Sequence, residues 1–278
     1  MSPPSDSPIG VFDSGVGGLT VLRALAAELP HENFVYLGDT ARLPYGTKSA
    51  ETVARYALQA AEALLEYGVK CLVIACNTAS SVGLPAIRER IAGIPVVGVI
   101  EPGAEAACAA SKSGHIAVIA TEGTVRGGAY QEAILRLRSG ARIVALPAQL
   151  FVALAEEGLH EGPIASNVAR HYLDPLFGRP LEPHPDTLVL GCTHFPMLAG
   201  AICNAVGPSV CIVDSAATTA KSVRDLLDRE GLAREAGAGT GEGATRFLAT
   251  DSVERFARIG SRFLARPIDP AQVELVDL

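Results

Sequence analysis

Short, continuous apolar runs recur along this chain between longer stretches with helical spacing, and that alternation restricts the fold more than any other feature. The runs are PIGVFD (8–13), NFVYLGD (33–39), KCLVIAC (70–76), PVVGVI (95–100), HIAVIAT (115–121), ARIVALP (141–147), TLVLGC (187–192) and VCIVDS (210–215), with a weaker ninth, TRFLAT (245–250). Between them lie amphipathic segments such as GLTVLRALAAEL, SAETVARYALQAAEALLEYG, GAYQEAILRLRS and ATTAKSVRDLLDREG. Continuous apolar strands alternating with helices predict parallel sheets covered on both faces, the α/β class.

Eight or nine strands fit one wide sheet or two smaller ones. Two are favoured by a duplication, because LVIACNTASS (72–81) and LVLGCTHFP (188–196) each run a strand into a cysteine and then into small hydroxyl or amide residues. The expected architecture is two pseudo-symmetric, doubly wound parallel-sheet domains facing a shared cleft. In open α/β sheets ligands bind beyond the carboxyl ends of the strands. Polar side chains cluster at those ends: Asp13-Ser14, Gly38-Asp39-Thr40, Cys76-Asn77-Thr78, Glu101, Thr121 and Cys192-Thr193-His194. Helix capping accounts for any one of them, but poorly for so many together.

Composition removes several function classes. Charge is −7 at neutral pH, with no block of lysine and arginine, so nucleic acid is not an expected partner. The opening MSPPSDSPIG lacks a signal peptide's basic and apolar regions, and no apolar run approaches the roughly 20 residues that span a bilayer. A cytoplasmic location with no membrane partner is expected. The six cysteines then read as reduced thiols, and the lack of any Cys-x-x-Cys pair argues against structural zinc. Residues 233–244, AREAGAGTGEGA, read as a surface loop.

The glycine-rich turn in PIGVFDSGVGGLTVL departs from the dinucleotide fingerprint at its third glycine, and no Walker lysine follows. Such a turn still brings backbone N–H groups close to an anion, a carboxylate as well as a phosphate. Cys71, Cys108, Cys203 and Cys211 read as small buried apolar residues. Cys76 and Cys192 differ, each following a strand and preceding polar residues that can open a helix. An unperturbed thiol is only about 3% thiolate at pH 7, so a base needs a depressed pKa, which a strand-to-helix turn can supply. Candidate partners are Asp13, His194 and a glutamate in LFVALAEEGLHEG, although helix capping, a satisfied core imidazole and a solvated helix face explain them equally well. A cysteine hydrolase needs one thiol. Racemisation needs two groups by its geometry, since one proton leaves one face of a carbon and another arrives on the opposite face.

The segments IGVFDSGVGGLTVLRAL, YLGDTARLPYGTKS, VIACNTASS, ATEGTV, LGCTHFPML and FLATDSVERFARIGSRFL are similar, in order and spacing, to the motifs of the glutamate racemase family, over roughly residues 9–265. The resemblance implies a cofactor-independent interconversion of L- and D-glutamate, supplying D-glutamate for peptidoglycan, in a homodimer. It implies Cys76 and Cys192 as acid/base thiols, with Asp13 assisting Cys76, and His194 and Glu156 assisting Cys192. FVALAEEG departs from the family's usual Val-Pro-Leu-Val-Glu, which leaves Glu157 as the alternative helper. Asp13, Ser14, Pro44, Tyr45, Gly46, Asn77, Thr78, Thr121, Thr124, Thr193 and His194 would line the substrate site, with no metal. The implied chain path puts 1–98 and 212–278 in one domain and 99–211 in the other, the turn signal Pro102-Gly103 marking the first crossing. Against a pyridoxal phosphate route, none of the four lysines, Lys48, Lys70, Lys112 and Lys221, is placed by its local sequence over a cofactor.

Overall fold

A computed structural model describes residues 4–178, 183–235 and 241–278. The strands are β1 (Ile9–Asp13), β2 (Phe34–Gly38), β3 (Cys71–Ile74), β4 (Val96–Gly98), β5 (His115–Ala120), β6 (Arg142–Pro147), β7 (Thr187–Gly191), β8 (Cys211–Asp214), β9 (Thr245–Ala249) and β10 (Val273–Leu275). The helices are α1 (Leu19–Glu28), α2 (Ala50–Leu65), α3 (Asn77–Val82), α4 (Leu84–Arg90), α5 (Ile100–Ala110), α6 (Glu122–Gly127), α7 (Ala129–Leu137), α8 (Leu150–Glu157), α9 (Gly162–Phe177), α10 (Ala199–Val206), α11 (Ser215–Glu230) and α12 (Val253–Leu264). All nine expected strands form. Only β10 had no counterpart in the sequence reading.

The strands make two all-parallel sheets, ordered β10-β9-β2-β1-β3-β4 and β6-β5-β7-β8. Each central strand is buried throughout, as the continuous apolar runs require. In both sheets the order reverses about one strand, β1 between β2 and β3, and β5 between β6 and β7. These are the switch points where open sheets hold ligands. Cys76 follows β3 and Cys192 follows β7, so the two thiols occupy equivalent places in the two sheets. One apolar core runs through both lobes, with α11 packed along α1 between them.

Several local expectations are corrected. Pro102-Gly103 is no turn, since both lie in the first turn of α5, where the missing proline N–H has no helical partner to lose. The expected return at residue 212 falls within β8, which pairs with β7, so the chain leaves the second sheet only after Asp214. Cys203 and Cys211 are exposed and Cys108 is half-buried. Cys203 faces outward from the short helix α10, and Cys211 lies on the edge strand β8, positions that local hydropathy does not separate from the core. Of residues 233–244, five (236–240) lie outside the described residues. Lys70 is fully buried at the amino end of β3, away from the cleft, with its Nζ 2.6 Å from the Glu32 carboxylate. Among the described residues no helix is long and apolar enough to cross a membrane.

Candidate active site

A single cleft brings together side chains from the carboxyl ends of both sheets. Ser14 and Gly15 enter from the end of β1, Cys76, Asn77 and Thr78 from β3, Thr121 from β5, and Cys192, Thr193 and His194 from β7. Leu43, Pro44, Tyr45 and Gly46 close one side, and Gln149, Val152 and Glu156 of the α8 region close another. Glu101 stays outside, half-buried and ion-paired with Arg88. Asp13 and Thr124, expected to line the site, stand one layer behind it, both buried.

Cys76 occupies the N-cap of α3, its Sγ accepting from the Ala79 N–H at 3.5 Å, where serine or aspartate usually serves. Its thiol also reaches the Ser14 hydroxyl at 3.4 Å. These contacts favour a thiolate, but burial and the neighbouring Asp13 outweigh them and push the Cys76 pKa up to about 12. The depressed pKa expected from the strand-to-helix turn is therefore not found, because desolvation of the buried sulfur and the adjacent Asp13 exceed what the Ser14 hydroxyl and the Ala79 N–H return. Asp13 is itself raised by burial, against the lowering influence of His194 and of backbone N–H groups at Gly18, Gly15 and Ser14. Its Oδ2 accepts from the Gly15 N–H at 2.9 Å, whereas Oδ1 has no hydrogen-bond partner among the described residues.

Cys192 has a different setting. A turn and then a single 3-10 turn follow it, not a helix N-terminus. What it has instead is His194, whose Nδ1 lies 3.8 Å from Sγ while Nε2 lies 3.3 Å from Glu156 Oε1. Burial alone would lower His194. The hydrogen bonds to Cys192 and Glu156, with the nearby charges of Cys192 and Asp13, outweigh it and hold the imidazolium to a pKa of about 10. Glu156 is correspondingly lowered, first by its hydrogen bond to His194. Glu157, one position on, is exposed and directed away. Adjacent residues on a helix point about 100° apart, so only one of the pair can face the cleft.

Tyr45 lines the cleft by position, but its phenol donates to the buried Asp39 carboxylate. Arg42 Nε (2.6 Å) and the Thr250 hydroxyl (3.0 Å) donate to the same carboxylate. The 41–48 segment is thus anchored from below where Leu43, Pro44, Tyr45 and Gly46 line the cleft. Thr78, Thr121 and Thr124 form a closed triangle of hydroxyls, with edges of 2.9, 3.2 and 3.0 Å, that joins the lobes. Tyr130 reaches from α7 to donate to Asn77 Oδ1 at 2.8 Å, while Asn77 Nδ2 is buried with no partner among the described residues. An unpaired buried amide at a cleft wall is a donor available to a ligand. Gln149 and Val152 carried no sequence signal, since only tertiary packing of α8 brings them here. Among the described residues no group of three His, Cys, Asp or Glu side chains is placed to hold a metal ion.

The family description Asp/Glu/Hydantoin racemase matches residues 9–223, and a glutamate racemase of Geobacter metallireducens is 47% identical over 268 residues, covering 96% of each chain. The chain belongs to the glutamate racemase family. It is an amino-acid racemase, an isomerase. Solved structures of the family agree in fold: that of Bacillus anthracis is 37% identical with a TM-score of 0.90, covering 99% of this chain and 98% of its own. The racemase of Francisella tularensis, solved in complex with D-glutamate, is 34% identical with a TM-score of 0.88 over 98% of both chains. An aspartate racemase of Picrophilus torridus shares the fold at 17% identity and a TM-score of 0.58.

Proposed function

We propose that this protein interconverts L- and D-glutamate by two-base proton transfer between Cys76 and Cys192. The observation that carries the reading is that two thiols, on equivalent strand ends of separate sheets, line one cleft. The sulfur acting as thiolate takes the Cα proton, and the opposite thiol gives its proton to the other face of the same carbon. Exchanging the two protonation states runs the reaction backwards. Asp13 sits beside Cys76 to influence its proton, and the Glu156–His194 pair serves Cys192.

The Cα proton of an amino acid is weakly acidic, so the developing carbanion needs electrostatic stabilisation. Asn77 Nδ2, the Ser14 and Thr193 hydroxyls and backbone N–H groups at the strand ends are available for it in a largely desolvated cleft. Glutamate is the substrate borne in the names of the relatives, and the anchored Tyr45–Gly46 backbone with the threonine hydroxyls suits a second carboxylate. Supply of D-glutamate for peptidoglycan, a homodimer and a cytoplasmic setting belong to the same proposal. The test is circular dichroism of each glutamate enantiomer with purified protein and no added cofactor. Both should decay to the racemate, and aspartate should react far more slowly. A constant signal from both enantiomers overturns the proposal.

A further inference from the structure

Resting on that two-thiol reading, we infer that α12, which belongs to the lobe of Cys76, positions the Glu156–His194 pair that serves Cys192, with Arg255 as its principal positioning residue. Three residues of this helix meet the pair. Arg255 Nη2 lies 2.9 Å from Glu156 Oε2, and Arg262 Nη1 donates to the Glu156 carbonyl at 3.1 Å. Phe263 sets its ring edge-on to the His194 imidazole, with centroids 5.1 Å apart and planes at 75°. Arg255 and Arg262, seven apart, lie two turns along one side of the helix, and Phe263 turns inward beside Arg262, so one rigid element makes all three contacts.

Each contact removes a different freedom. Glu156 divides its carboxylate, Oε1 toward His194 and Oε2 toward Arg255. A glutamate's terminal torsion is otherwise broad, so the arginine fixes which oxygen meets the imidazole. The Glu156 carbonyl lies in the last turn of α8, whose carbonyls lack partners within their own helix, and Arg262 supplies one. Phe263, fully buried, fixes the plane of the imidazole. Glu156 and His194 come from the lobe of the second sheet, whereas all three supporting residues come from the first. Proton delivery at Cys192 is therefore aligned only while the two lobes are docked. Arg255 is 41% exposed on its side chain, so its ion pair adds little to stability and its effect falls on orientation.

The test uses the full chain with Arg255→Met and Arg255→Lys, each alone and combined with Glu156→Gln. Turnover of glutamate and the alkylation of Cys192 and Cys76 by iodoacetamide, read by peptide mass spectrometry, are measured together. Arg255→Met is expected to lower kcat about tenfold with KM little changed, a modest share of what a positioned acid/base group contributes. It should slow alkylation at Cys192 and leave Cys76 and the thermal midpoint unaffected. Arg255→Lys should restore most of the loss, and in the Glu156→Gln background Arg255→Met should cost nothing further. An unchanged kcat, or an equal loss in the Glu156→Gln background, overturns the inference. If the unsubstituted protein leaves glutamate unchanged, the racemase reading fails, and the alkylation contrast still decides the positioning claim.

Discussion

Gly17 of the first lobe lies so close to His194 of the second that a β-carbon built on it would overlap both the imidazole ring and the Thr193 hydroxyl. The glycine-rich turn after β1 thus has a steric purpose: it lets the lobe of Cys76 press directly against the imidazole that lies beside Cys192. The same economy recurs at Gly46, where a β-carbon would stand 2.7 Å from Thr121 Cβ.

Gly17→Ala is therefore expected to displace His194 and Thr193 while leaving the sheets intact. Displacement of an acid/base group by about 1 Å can lower turnover about a hundredfold. Racemisation kinetics alongside an unchanged far-ultraviolet spectrum would check this.

Asp39 holds the floor of the site through Tyr45, Arg42 and Thr250. Asp39→Ala leaves those donors without their acceptor, at a cost of about 3 kcal/mol. Because the loosened segment lines the cleft at residues 43–46 and carries no acid/base group, KM for glutamate should rise more than kcat falls. Urea unfolding and steady-state kinetics on the same variant measure both effects.

The pH dependence of stability follows from His194 and Glu156. His194 has its folded pKa raised from 6.5 to about 10, so its contribution is complete below the unfolded value and is lost as pH rises through the folded one. Glu156 is lowered, so its contribution is present above the ordinary carboxylate range and is lost as pH falls through its folded value. The gap in urea midpoint between the protein and Glu156→Gln should be wide near pH 6 and should narrow by about pH 10.5, where most of the imidazole is neutral. A gap that is the same at both pH values would show that the pair carries no charge.

Much of this was legible in the sequence because parallel strands buried on both faces leave a continuous apolar signature, and nine of the ten strands carry it. β10 does not, having only three residues, of which two are exposed. The paired cysteines, Ser14, Asn77, Thr78, Thr121, Thr193 and His194 could be placed at the cleft from sequence because each sits at or just beyond a strand end, whereas Asp13 and Glu101, also near strand ends, fall behind or outside it. Residues that reach the site by helix packing left no such trace: Gln149 and Val152 of the α8 region, and the arginines of α12. Nor could local sequence reveal that Cys76 caps a helix while Cys192 does not, since both are followed by small polar residues. That difference lies in the backbone path after β3 and β7. It gives the two matched thiols unlike partners, a backbone N–H with Ser14 for one and an imidazole for the other.

The most direct test of the central claim is proton nuclear magnetic resonance of L-glutamate in deuterated water, with chiral analysis of the product, for the protein and for Cys76→Ala and Cys192→Ala. The account predicts that the unsubstituted protein exchanges the Cα proton for solvent deuterium as D-glutamate forms, and that each single substitution abolishes that interconversion. Substantial formation of D-glutamate by either variant would contradict a reaction that needs both thiols.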